Sequence, residues 1–265
     1  MKNKGFTLVE LSIVLIIIAL MIGGVFLGKS LIRSAELREV IGEYDRYTKA
    51  IKEFGDKYQA LPGDMTNAEA IWGSDTTCPN TLTNFIIKTV TCNGDGNGRI
   101  GASSSAGVLD TAYSYEWFRA WQQLSNAELI AQKFTGVKSS ATDGHALIEL
   151  NVPKSELTKN SGWTLYYFLN TVTTATIWGD NYGHVFAFGG GTSSSITYAA
   201  TLYSSDALAI DQKIDDGLPG RGIVRTWRTA VLPNCTTNDT TQDAATYNIA
   251  YTLGESCSLL FLLGL

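Results

Sequence analysis

Histidine is nearly absent from this sequence. There are two, His145 and His184, and neither stands in a metal-binding spacing such as H-E-x-x-H. No G-x-S-x-G occurs and no two of the four cysteines form C-x-x-C, which leaves a hydrolase elbow, a zinc ribbon and a thioredoxin-type motif without support. Basic excess is also lacking. The formal charge is −5, which argues against a nucleic-acid-binding surface as the main function. The most local absence is of charge itself, since no charged residue stands between Leu11 and Gly28.

What is present bounds the fold. Hydrophobic residues make up 45% of the 265, enough to bury the core of one large domain or two small ones. After residue 60 the chain is rich in Thr, Ser, Asn and Gly, with many Tyr and Trp, a β-rich composition of the export type.

The uncharged run Leu11–Gly28 is long enough to cross a bilayer as a helix. Lys2 and Lys4 before it place the N-terminus on the cytoplasmic side. No small-x-small cleavage site follows the run, so an ordinary secretory signal fits poorly. Glu10 stands near the start of the apolar segment, where a carboxylate costs about 2.5–3.5 kcal/mol on insertion scales and calls for a partner. Past Lys29, apolar residues recur in steps of three and four at Leu37, Val40, Ile41, Tyr44, Tyr47, Ile51, Phe54 and Tyr58. They make one stripe against charged faces. The spacing predicts one helix from Phe6 to about Tyr58, stopped by the Pro-Gly of "LPGD", Leu61–Asp64.

"KGFTLVELSIVLIIIALMIGG" closely resembles the class III signal of type IV pilins and type II secretion pseudopilins. The resemblance covers the first thirty or so residues. It implies cleavage between Gly5 and Phe6 by a prepilin peptidase, with N-methylation of Phe6. It also implies a role for Glu10 opposite the N-terminal amine of a neighbouring subunit during assembly. The expected organisation is a leader over 1–5, an apolar helix half over 6–28, an amphipathic half over 29–60 and a globular domain over 61–265. The expected fold is α+β, a long N-terminal helix packed on an antiparallel sheet with insertions. The expected function is structural rather than enzymatic: a subunit of a type IV pilus-like filament, with a pseudopilin of a type II secretion system or a minor tip or adhesion subunit as alternatives. The partners so implied are identical or related subunits, the peptidase, an inner-membrane assembly platform and a cytoplasmic ATPase. The chain would reside in the bacterial inner membrane, then in a periplasmic or surface filament.

One motif points elsewhere. "GGVFLGKS", Gly23–Ser30, satisfies the phosphate-loop pattern G-x-x-x-x-G-K-[ST]. That chemistry needs a buried strand and a polar turn whose N–H groups face the phosphates. The preceding segment is too long and continuous for such a strand, and Val25, Phe26 and Leu27 are bulky and apolar. "ALAID", Ala207–Asp211, an apolar run ending in aspartate like a magnesium-binding strand, reads instead as a short helix ended by Gly217 and Pro219.

In the globular part, residues 113–132 read as a helix with Trp117, Trp121 and Leu124 inward. Strands are expected at "HALIELNV" (145–152), "GWTLYYFLN" (162–170), "GHVFAFGG" (183–190), "SITYAATLYS" (195–204), "GIVRTWRTAV" (222–231) and the C-terminal "SLLFLLGL". Four cysteines allow three connectivities. The cysteines fall into two local pairs, so Cys78–Cys92 with Cys235–Cys257 is the expected connectivity, oxidised if the chain is exported. "NGDGNGRI" offers Asn93, Asp95 and Asn97 at alternate positions with Gly98 for the turn, the front of a calcium loop. Ser104 stands where the closing Glu of an EF-hand belongs, so calcium would need a further carboxylate such as Asp110 or Glu116. Asp211, Asp215 and Asp216 form a second acidic group, with Arg221 or Arg225 as expected partners.

Overall fold

The computed structural model describes residues 7–76, 78, 86–101, 115–137, 146–158, 160–170, 173, 175–192, 196–237 and 241–265. Helix α1 runs from Leu8 to Tyr58. It begins at a capping box, in which the Thr7 hydroxyl accepts the Glu10 N–H while the Glu10 carboxylate accepts the Thr7 N–H. It ends where Gln59 turns left-handed (φ 53°) and donates its N–H to the Gly55 carbonyl, just before Pro62. Helices α2 (Ala68–Trp72) and α3 (Tyr115–Asn126) follow, then strands β1 (Ser161–Asn170) and β2 (Asp180–Gly190). Helix α4 (Ser204–Ile214) and strands β3 (Val224–Thr226) and β4 (Leu259–Leu262) complete the fold. The sheet is antiparallel with order β1-β2-β4-β3, so the C-terminal strand lies between β2 and β3. This is the α+β architecture expected from the sequence.

The two halves of α1 have opposite surroundings. In the apolar half none of the described side chains is buried by the rest of the chain. From Leu37 the helix enters the core: Leu37, Val40, Tyr47, Ala50, Ile51 and Phe54 are all buried. Aromatic rings cement this contact. Tyr47 meets Trp121, Trp163 and Phe186 edge-on, and Tyr44 stacks on Phe261 at 5.0 Å. Two polar contacts set the register of helix on sheet. The buried Glu43 carboxylate accepts the Trp163 indole N–H (2.7 Å) and the Glu156 N–H (2.8 Å), and the Tyr44 hydroxyl donates to the Leu262 carbonyl (3.2 Å). Burial raises the pKa of Glu43, and those donors oppose the rise.

Several expected strands are shorter or absent. Residues 146–152 form a turn, and His145 lies outside the described residues. Asn151 accepts the Leu147 N–H through its side chain (2.6 Å), its own N–H returns to the Leu147 carbonyl, and Glu149 sits at φ 73°. The stretch expected as a strand over 195–204 makes only bridges at Ala199 and Leu202, and Thr197 spends its hydroxyl on the Ala187 carbonyl. The expected strand over 222–231 shrinks to Val224–Thr226. The Asp215 carboxylate captures the Ile223 and Val224 N–H groups at one end, and the Arg228 N–H leaves for the Thr176 carbonyl at the other. Helix α3 ends at Asn126, six residues before the expected end at Gln132, because Glu128 is left-handed (φ 64°). Ala127 and Ile130 are buried all the same.

Glu43→Leu would leave the buried Trp163 indole N–H unpaired, at a cost of about 1–3 kcal/mol, and would also strip the part-buried Glu156 N–H of its acceptor. Thermal unfolding of the full-length protein in detergent should therefore show a clearly lowered Tm for Glu43→Leu and a smaller loss for Glu43→Gln, which keeps one acceptor.

Candidate functional site

Two places carry unusual chemistry, one at each end of α1. At the start of the helix, Glu10 lies on a wholly exposed apolar segment and folds back on its own N-cap. One oxygen of Glu10 accepts both the Thr7 N–H (2.8 Å) and the Thr7 hydroxyl (2.9 Å). Gly5 and Phe6 lie outside the described residues. Gly23–Ser30 is helical throughout, in mid-helix, and so has no turn of free N–H groups to hold a phosphate.

Beyond the far end of the helix, three carboxylates converge. Asp64 follows the Pro62-Gly63 stop, Asp95 sits on the glycine-rich loop, and Glu116 opens α3. One oxygen of each lies within 4.8 Å of the others. The loop is drawn tightly over the chain at Asp64, where a Cβ on Gly94 would lie 2.4 Å from the Asp64 Cα. Each carboxylate also holds backbone. Asp64 accepts the Asn97 and Gly98 N–H groups, and the fully buried Glu116 accepts those of Asp95 (3.1 Å) and Gly101 (2.6 Å). Burial first, then the neighbouring negative charges, push the Glu116 carboxyl up to about 8. Asp64 rises to about 6, again chiefly through burial, with Asp95 beside it. A cleft of 530 Å³ reaches Asp64 between Gly55, Gln59 and Leu61 of the helix end and Gly96 and Gly98 of the loop.

Of the residues singled out in the sequence, the structure brings Asp95 and Glu116 together and adds Asp64. Asn93 is engaged elsewhere: its side-chain oxygen accepts the Glu69 N–H at α2 (2.9 Å) and its own N–H returns to the Glu69 carboxylate. Asn97 accepts the Arg99 N–H (2.7 Å) through its side-chain oxygen and donates to Asp95 (2.7 Å). Asp110 lies outside the described residues. Asp64 escaped sequence reasoning because it stands 31 positions before Asp95, inside what reads as a helix stop.

The second acidic group is structural. Asp211 accepts the Tyr247 hydroxyl (2.8 Å) and the Gly217 N–H, Asp215 holds residues 223–224, and Asp216 caps Leu218. The expected arginine partners are a correction. Arg221 pairs with Asp243 and Arg225 with Asp180 (2.8 Å), since the turn over 217–222 carries both guanidinium groups away. The disulfides are Cys78–Cys92 and Cys235–Cys257, with Cα separations of 5.6 and 4.9 Å. The first fixes the chain immediately before the glycine-rich loop.

The raised carboxyls have a pH signature. A carboxyl whose folded pKa lies above its unfolded value near 4 stabilises the fold below that pH, and the contribution is lost as pH rises through the folded pKa. In chelator, Tm should fall between about pH 4 and pH 8, through the values for Asp64 and Glu116. Glu116→Gln should flatten the upper part of that fall in thermal scans. An unchanged slope would mean that Glu116 titrates normally.

No curated protein and no solved structure matches the chain. A family model does match its first 26 residues, described as the prokaryotic N-terminal methylation motif. The match spans Gly5, Phe6, Glu10 and most of the apolar run. The chain thus carries, on the exposed half of its long helix, the class III N-methylation signal characteristic of type IV pilins and pseudopilins.

Proposed function

We propose that this chain is a structural subunit of a type IV pilus-like filament, processed by a prepilin peptidase and polymerised through the apolar half of α1. The carrying observation is the division of that helix. Its amphipathic half is buried against its own domain, and its apolar half, with a mean hydropathy of 2.8, is left unburied by the described residues. A surface that apolar must be buried in lipid or in other subunits. The motif and the apolar helix near the N-terminus fit anchoring in the inner membrane before assembly. The platform and the cytoplasmic ATPase of such systems would supply the work of polymerisation, and the chain's own role is non-enzymatic.

In this reading Glu10 changes partners. In the single subunit it is held by Thr7, and during assembly the methylated amine of a neighbour replaces Thr7. Glu10→Ala should leave insertion intact and abolish or slow filament formation, scored by electron microscopy of sheared surface material. Mass spectrometry of assembled protein should find Phe6 first, with a methylated amine. Retention of Met1 would overturn the assignment.

A divalent cation, calcium in an exported protein, is the second part of the proposal, held by Asp64, Asp95 and Glu116. Hard oxygen donors and uncompensated like charge in a partly buried cluster favour it. The bound ion would neutralise the cluster and stiffen the loop that these carboxylates already hold. Millimolar calcium should raise the Tm of the full-length protein relative to chelator, and more at pH 8 than at pH 5. Asp95→Ala should melt at the same temperature in both buffers. A wild-type Tm indifferent to calcium would remove the ion from the site.

A further inference from the structure

We infer that the end of the globular domain nearest the apolar half of α1 is itself a lipid-contacting surface, resting on the bilayer while the chain is anchored. The inference builds on the membrane-anchored form of the proposed function.

The level of this face follows from α4. Asp206, in the first turn of α4, is paired with Arg33 of α1 through two guanidinium nitrogens (2.6 and 3.0 Å). At the other end, Asp215 holds the Val224 N–H, Val224 pairs with Phe261, and Phe261 stacks on Tyr44 of α1. Helix α4 therefore runs parallel to α1 and points its N-terminus toward the apolar half. Tyr203, three residues before Asp206, stands about 4.5 Å lower, level with Ser30. The uncharged run ends at Gly28, and its 18 residues span about 27 Å, close to the hydrocarbon thickness. Residues level with Ser30 thus fall in the headgroup layer.

Two further segments are tied to the same end. The Ser204 hydroxyl bonds to the Asn234 carbonyl (3.2 Å) and to the Ser256 hydroxyl (2.9 Å), Leu202 bridges Cys257, and the Cys235–Cys257 disulfide joins the two segments. Residues 196–205, 229–237 and 244–256 converge there, and Glu255 is the one charged side chain among them. Their exposed residues include Tyr203, Pro233, Ile249 and Leu253, interspersed with uncharged polar residues such as Asn234 and Thr252 and with Glu255. Leu253 is 89% exposed, Ile249 58% and Tyr203 41%, and the same segments form a cleft of 430 Å³ lined by Tyr198, Val231, Pro233 and Tyr251 together with Asn234 and Glu255. Aromatic side chains with one apolar and one polar end favour the water–lipid boundary. Lys29, one turn before Arg33 on the same face of α1, supplies a cation at headgroup depth. The face is continuous with the apolar helix half, since the four-residue step from Lys29 to Arg33 is only about 6 Å of helix. The bilayer is therefore its occupant.

The test uses the full chain in nanodiscs of phosphatidylethanolamine and phosphatidylglycerol, with nitroxide labels on Leu253→Cys, Tyr203→Cys, Ile18→Cys and Ile71→Cys. Ile18 reports the span, and Ile71 on α2 reports the far end of the domain. Collisions with oxygen, which partitions into lipid, and with a water-soluble nickel complex are measured by paramagnetic resonance. Leu253 and Tyr203 should show an oxygen-to-nickel ratio several-fold above that of Ile71 and below that of Ile18. A ratio equal to that of Ile71 would overturn the inference with the anchor intact. Labels shielded from both reagents would also overturn it, by showing a neighbouring protein copy on this face. A water-exposed Ile18 would remove the anchored form itself. Because the labelled side chains are exposed, folding is checked by an unchanged Tm and intact disulfides.

Discussion

The structure depends on one contact, the seating of the second half of α1 on the sheet. Helix and sheet meet through an aromatic cluster, but ring packing alone tolerates sliding, because many offsets bury similar area. Glu43 removes that freedom. Its carboxylate is buried where two donors from the β1 side await it, the Trp163 indole and the Glu156 backbone, and a shift of one helical turn would strand all three groups. The same contact fixes where the helix leaves the domain, and hence that Arg33 is paired with Asp206 while none of the described side chains before it is buried.

From that register the two ends of the molecule acquire different characters. Toward the apolar half the domain presents aromatic-bearing segments in which Glu255 is the one charged side chain, held by Cys235–Cys257 and by the Ser204–Ser256 bond. At the far end, the helix stop brings Asp64 against the glycine-rich loop and Glu116, with Cys78–Cys92 anchoring that loop. The charges are thus segregated along the helix axis, apolar contact at one end and convergent carboxylates at the other.

Elements whose reason is local were legible. Helix α1 follows from its apolar stripe and its Pro-Gly stop, and β1 and β2 follow from β-branched and aromatic runs bounded by turn residues. The failures share a cause. At Leu147, Thr197 and Ile223 a polar side chain from elsewhere in the fold, or a few residues on, claims a backbone group that a strand would need. Periodicity does not register such competition.

By itself the sequence determined the long helix, its uncharged span, the processing and methylation signal with Glu10 in it, and two cysteine pairs within reach of each other along the chain. These are properties of neighbouring residues, set by the helical repeat, by turn chemistry and by transfer from water. Only the tertiary structure decided that β4 enters the middle of the sheet, that Asp64 joins Asp95 and Glu116, and that residues near 203, 234 and 253 share one face. Each of these joins residues tens or hundreds of positions apart. Such contacts are chosen by the burial of the whole core and by the pairing of its buried polar groups, quantities that no single stretch of sequence contains.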